Sequence, residues 1–202
     1  MGRSATALFG GTFDPIHNAH LEIARAAADR FDLAKVLFVP AANPPHKPAG
    51  VIAPWEHRVR MVELACAADP RFAVSRVEAP SERDETRSYS IFAIEKLKAR
   101  GFDPLNFLIG ADAFADIRTW FRWEDVVAAV EFIVVTRPGL NGKWNAPPGA
   151  VVHELSGLDL PVSSSDVRRQ LMENVPRVPV PDAVLRYIRE HGLYHSQPKQ
   201  IL

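Results

Sequence analysis

Apolar residues recur along this chain in two alternating rhythms. Short dense runs at 6–9, 35–39, 72–75, 106–109, 132–136 and 151–154 read as strands. Between them, the stretches 20–31, 54–67, 90–100, 123–130, 165–174 and 182–191 read as helices. In the first helical stretch Leu21, Ala24, Ala27, Ala28 and Phe31 share one face and predict packing on a sheet. Val36-Leu37-Phe38-Val39 and Phe132-Ile133-Val134-Val135 are apolar on both faces, the mark of strands covered on both sides in a parallel sheet. The alternation predicts an α/β fold with a doubly wound, mostly parallel sheet. Ligands of such sheets bind beyond the carboxyl ends of the strands, near the switch in strand order. Prolines cluster at 40–54, 138–148 and 176–181, each between periodic segments, and read as ordered loops.

Length, composition and charge narrow this picture. A chain of 202 residues is one domain by size, and we expect a single domain over 1–202 with a small C-terminal helical part at about 163–202. The formal net charge is zero, which speaks against bulk electrostatic binding to nucleic acid or a membrane surface. No apolar run approaches the roughly 20 residues of a membrane span. The single cysteine, Cys66, excludes an internal disulfide and fits a reducing compartment. Its apolar helical surroundings predict a small core residue and not a nucleophile. The N-terminal Met1-Gly2-Arg3-Ser4 shows no signal-peptide pattern, so the expected location is cytoplasmic.

The chemistry concentrates in Gly10-Gly11-Thr12-Phe13-Asp14-Pro15-Ile16-His17-Asn18-Ala19-His20, where the first strand turns into the first helix. A helix N-terminus aims backbone N–H groups and the positive end of its dipole at one point, an anion site. The motif lacks the Gly-Lys-Ser/Thr ending of a P-loop and the GxGxxG of dinucleotide folds. Nor does it match HExxH, and no cysteine cluster would complete a metal site. His17 and His20, three apart, share a face of the first turn and could donate to phosphate oxygens. Bound phosphate would favour their cationic form. The plainer alternative is a cap, with Asn18 as N-cap and the histidines as polar surface. Two histidines behind Gly-Gly-Thr-Phe-Asp-Pro weigh toward phosphate.

That motif resembles the (T/H)xGH signature of the nucleotidyltransferase superfamily, with Ala19 where glycine is usual. Pro44-Pro45-His46-Lys47, Arg58 and Met61, Ile109-Gly110-Ala111-Asp112, and Trp120 and Trp123 resemble segments of the bacterial nicotinate-nucleotide adenylyltransferases. So do Val162-Ser163-Ser164-Ser165-Asp166-Val167-Arg168, close to ISSTxIR, and the ending 184–194. One segment departs from the family: in Ser88-Tyr89-Ser90-Ile91-Phe92-Ala93-Ile94, Ser90, Phe92 and Ala93 stand where SYTxDTL has threonine, aspartate and threonine.

The resemblance implies a Rossmann-like nucleotidyltransferase fold and adenylyl transfer from ATP to nicotinate mononucleotide, giving deamido-NAD and pyrophosphate. It implies His17, His20, Lys47 and Arg168 as catalytic residues. Gly10, Gly11, Thr12, Phe13, Gly110, Asp112, Ser163 and Ser164 would join His17, His20 and Arg168 in binding ATP. Thr12, Lys47, Tyr89, Ser90 and Trp120 would bind the mononucleotide. Ser163-Ser164 would form a second anion site at a helix N-terminus, or only its cap; Arg168, one turn in, would reach the outer phosphates or stand in solvent. Trp120 would offer a flat face to the pyridine ring, with Trp123 as packing. Mg²⁺ would arrive with ATP and needs no protein ligand. The expected partners are the two nucleotides, with neither nucleic acid nor membrane, and a homo-oligomer is compatible with the sequence. The altered Ser90–Ala93 segment leaves two alternatives: preference for nicotinamide mononucleotide, or ATP binding without turnover.

Overall fold

The computed structural model describes residues 5–44, 52–80, 87–136 and 145–194. The six apolar runs become β1 (Ala5–Gly11), β2 (Leu33–Pro40), β3 (Phe72–Val74), β4 (Leu105–Gly110), β5 (Glu131–Val135) and β6 (Val152–Leu155). They form one sheet in the order β3-β2-β1-β4-β5-β6, with every pairing parallel. The helices are α1 (Asn18–Arg30), α2 (Trp55–Cys66), α3 (Ser90–Ala99), α4 (Ala111–Ala115), α5 (Trp123–Ala129), α6 (Ser164–Met172) and α7 (Asp182–Glu190). A 3-10 turn, Ile117–Thr119, links α4 to α5. Nothing in the sequence pattern predicted α4 or the 3-10 turn, because five and three residues are too few to show a period.

Side chains alternate across the strands and divide the core in two. Ala7 and Phe9 of β1, with Val36 and Phe38 of β2, join α1, α2, α6 and α7 on one face. Leu8, Leu37 and Val39 join α3 and α5 on the other. Each fully buried aliphatic side chain is worth about 1.5–3 kcal/mol, so both faces are needed to hold the parallel strands. Val167, Leu171, Val184 and Ile188 of α6 and α7 lie in the same cluster as Ala24 and Met61. The C-terminal helices thus complete the main core and are no separate layer. No helix among the described residues is long and apolar enough to cross a membrane.

Strand order reverses between β1 and β4, which pair in parallel. Their carboxyl ends, Gly10-Gly11 and Gly110, meet at the crevice where such sheets bind ligands.

Candidate active site

The turn from β1 into α1 is built around a close approach. A Cβ on Gly11 would lie 2.9 Å from Cζ of Phe13, so glycine alone lets the Phe13 ring fold beneath the strand end. Phe13 itself stands at φ 48°, in the left-handed region that non-glycine residues seldom use outside tight functional turns. Its ring is 2% exposed and packs on Phe9, Phe38 and His20. The side chain of Phe13 is therefore core, and only its backbone could face a nucleotide. The carbonyl of Thr12 is equally committed, accepting from Arg58 Nη1 at 2.6 Å.

The sequence offered open amides at the start of α1, or, as the plainer alternative, a cap at Asn18. The structure shifts the cap by one residue and uses three of the amides. His17 is the N-cap, and the helix starts at Asn18. The backbone N–H of His17 donates to His20 Nδ1 at 3.2 Å, that of Asn18 to the Pro179 carbonyl at 2.9 Å, and that of His20 to the His17 carbonyl at 3.0 Å. These three of the first four amides are used internally, so a ligand meets the imidazoles and the start of α1 at Ala19, which also lines the cavity described below.

Those rings stack at 3.7 Å between centroids and 28° between planes. Because His20 Nδ1 accepts a backbone N–H, neutral His20 carries its proton on Nε2 and can donate only from there. Burial pulls the His17 pKa down to about 4. Burial, and then its neighbour His17, hold His20 well below the usual range. Neutral imidazole is therefore the form of both rings in the unliganded chain. His17 Nδ1 is buried without a hydrogen-bond partner, a group prepared for a ligand or a water.

A cavity of about 330 Å³ opens beside the pair. His17, His20, Gly110, Asp112, Ser163 and Ser164 line its polar side. Phe9, Ile23, Val135, Leu158, Leu160 and Val162 form an apolar wall suited to a purine ring. Leu158, Leu160 and Val162 were missed from sequence. Their alternation in Leu158-Asp159-Leu160-Pro161-Val162 was the available signal, although the segment forms no strand. Gly10 stands exposed at the end of β1, outside the lining.

The second predicted anion site is partly spent. Ser163 caps α6, accepting from Asp166 N–H at 3.1 Å while its hydroxyl donates to Asp166 Oδ2 at 2.7 Å. That bond holds the Asp166 carboxyl below its ordinary range. Ser164 Oγ donates to the Pro15 carbonyl at 3.0 Å, and Arg168 Nη1 to the Asp14 carbonyl at 2.7 Å. The start of α6 is thus fastened to the β1–α1 turn, and Arg168 comes to the histidine loop. Arg169, exposed, pairs with Asp166.

The predicted pyridine side is aromatic. Ser90 opens α3, and Tyr89 is its N-cap with no capping side chain. Tyr89 stacks on Phe121 at 4.7 Å, and Phe92 packs against Phe121 at 5.8 Å. Phe121, 46% exposed, was not singled out from sequence; its position next to Trp120 was the only cue. Trp120 is half-buried against Phe107, and Trp123 packs on the same core. Tyr89 and Phe92 help line a second cavity of about 370 Å³ with Asn43, Glu78, Ser88 and Lys96. Ser90, Trp120 and Thr12 lie outside that lining. Lys47 lies outside the described residues. Burial pushes the Cys66 thiol up to about 12, in keeping with a core residue.

A family model described as cytidylyltransferase-like matches residues 8–170. Over 191 residues the chain is 52% identical to a Solibacter usitatus protein named probable nicotinate-nucleotide adenylyltransferase, covering 94% of this chain and 98% of that one. A protein of the same name from Corynebacterium glutamicum is 39% identical over 200 residues, covering 96% and 90%. Among solved structures, Plasmodium falciparum nicotinic acid mononucleotide adenylyltransferase complexed with NaAD matches with a TM-score of 0.74, covering 95% of this chain and 98% of that one. At 18% identity that likeness speaks for the fold alone.

Proposed function

We propose that this chain, which belongs to the cytidylyltransferase-like family and within it to the nicotinate-nucleotide adenylyltransferases, transfers the adenylyl group of ATP to nicotinate mononucleotide. A phosphate oxygen of the mononucleotide attacks the α-phosphorus of ATP. The bond from that phosphorus to the bridging oxygen of the β-phosphate breaks, and pyrophosphate leaves. The nucleophile is already anionic, so the protein's work is alignment and charge stabilisation.

The observation that carries this reading is the stacked histidine pair at the β1–β4 switch, with the only donor of neutral His20 at Nε2. In this reading His20 donates to the α-phosphate and His17 to the phosphate beside it. The apolar wall from Phe9 to Val162 receives adenine, and Asp112 the ribose. Arg168 approaches from α6 toward the outer phosphates. The mononucleotide enters on the side of Tyr89, Ser90 and Trp120; Lys47 stays a candidate from the sequence motif alone.

The described residues contain no group of three or more His, Cys, Asp or Glu able to hold a metal ion. In this reading Mg²⁺ enters on the triphosphate, where it would supply charge neutralisation. No residue of the chain is assigned as its ligand.

The test incubates the chain with ATP, Mg²⁺ and nicotinate mononucleotide, with nicotinamide mononucleotide in parallel. Equal amounts of deamido-NAD and pyrophosphate are expected. Absence of pyrophosphate with the nicotinate substrate contradicts the assignment, and a faster reaction with the nicotinamide substrate revises it.

A further inference from the structure

Asp14 is the least exposed carboxylate near the histidines, at 2%, and the reaction as described does not use it. Its Oδ2 accepts the Ile52 N–H at 2.9 Å, and its Oδ1 accepts the Ala53 N–H at 3.1 Å. Oδ1 also accepts the Tyr194 hydroxyl at 2.7 Å, from 180 residues further along the chain. The main-chain carbonyl of Asp14 holds Arg168, and the next carbonyl, Pro15, holds Ser164. The short turn that ends at His17 is therefore held on three sides: by residues 52–53, by α6, and by the turn that follows α7. Arg58, 1% exposed, fastens the same turn from below through the carbonyls of Thr12, Ala41 and Ala53.

Among these restraints, Tyr194 stands apart from the substrates and from the loops around them. Its ring is 7% exposed and packs in the core cluster with Val184 and Ile188. Its hydroxyl is spent on Asp14. Burial and the Asp14 carboxylate push the phenol upward, so the hydroxyl remains a donor across the working pH range.

We infer that Tyr194 is a positioning residue for adenylyl transfer. Through Asp14 it sets the turn that places the His17–His20 pair and the carbonyl that anchors Arg168. The chain's C-terminal turn is in this way part of the alignment of the phosphates, although it touches none of them. The inference rests on the functional reading above. A misplacement of about 1 Å at a reacting centre, even from a distant change, can cost about 100-fold in rate, because alignment supplies much of the acceleration.

The test compares Tyr194→Phe with Ile188→Val in the full chain. Tyr194→Phe keeps the ring and removes the donor. Ile188→Val trims the same α7 packing and leaves Asp14 alone. Two readouts are taken: pyrophosphate release with ATP and nicotinate mononucleotide, and the ring proton resonances of His17 and His20 by NMR in the unliganded chain. For Tyr194→Phe we expect kcat to fall about tenfold, with KM for the mononucleotide within about twofold of wild type. The His17 and His20 resonances should shift as well. Ile188→Val should keep the wild-type kcat and resonances at a comparable loss of Tm. A wild-type kcat in Tyr194→Phe, or an equal fall in Ile188→Val, overturns the inference. If wild type releases no pyrophosphate, the functional reading fails and the resonances decide alone: moved in Tyr194→Phe only, they support the positioning role; unmoved, they overturn it.

Discussion

Two helix N-termini face the same cavity, and they are built in opposite ways. That of α1 is buried and largely satisfied internally: His17 caps it, three of its first four amides are used, and Phe13 in its left-handed turn seals it from below. That of α6 is a half-open serine cap whose hydroxyl is tied to Asp166, a carboxylate at the end where an anion would sit. The dipole is the same at both ends, so the difference lies in the side chains. A site that acts on a reacting phosphorus needs donors fixed before the substrate arrives, the role proposed for α1. A site that only holds the outer phosphates tolerates rearrangement, the role proposed for α6, whose internal bonds a ligand would have to replace.

The contrast is open to breakage in graded ways. The largest effect belongs to the support under α1. Arg58→Met strips the guanidinium from the carbonyls of Thr12, Ala41 and Ala53 and should cost about 3 kcal/mol or more, read from urea midpoints. No side chain under α6 should cost as much.

The next is a pH effect confined to the α1 end. The His17 pKa is held at about 4 in the fold, below its unfolded value, so the folded state binds fewer protons there. Stability is full above about pH 6.5 and is lost as pH falls toward 4, by up to about 3 kcal/mol from this residue. Urea midpoints at pH 7.5 and 4.5 check this, and His17→Asn should shrink the difference, with the remainder belonging to His20, which burial also holds low. A difference that survives intact in His17→Asn would place the titration elsewhere.

The smallest effect is expected at α6. Ser163→Ala removes the N-cap and should lower stability by about 1 kcal/mol. Because the hydroxyl is occupied by Asp166, kcat should change less than about threefold. A loss of kcat beyond tenfold would mean that Ser163 turns to the phosphates, and the two ends would then be alike.

Most of the frame was legible from the chain because apolar spacing is a local signal. Val36–Val39 and Phe132–Val135 announced a doubly covered parallel sheet, and the sheet has that form. The position of the histidine motif at a strand end placed the cavity correctly. What stayed hidden depends on contacts between distant residues. Nothing local shows that Tyr194 reaches Asp14, that Pro179 consumes the Asn18 amide, or that Arg58 is buried on the carbonyls of Thr12, Ala41 and Ala53. Phe92 looked like a lost polar group; in space it joins Tyr89 and Phe121 in an aromatic cluster. The desolvation that keeps the unliganded histidines neutral was hidden for the same reason, since it is a property of the fold and not of the motif.

The central claim is that α1 acts on the reacting phosphate and α6 on the outer ones. Steady-state pyrophosphate release by His20→Ala and Arg168→Ala, assayed side by side with wild type, tests it most directly. His20→Ala should lose about 100-fold or more in kcat, beyond the loss of Tm that follows from orphaning the His17 N–H. Arg168→Ala should act chiefly on KM for ATP, by about tenfold, with a far smaller loss of kcat. A His20→Ala enzyme that keeps its kcat, or an Arg168→Ala enzyme that loses more of it, would contradict the account.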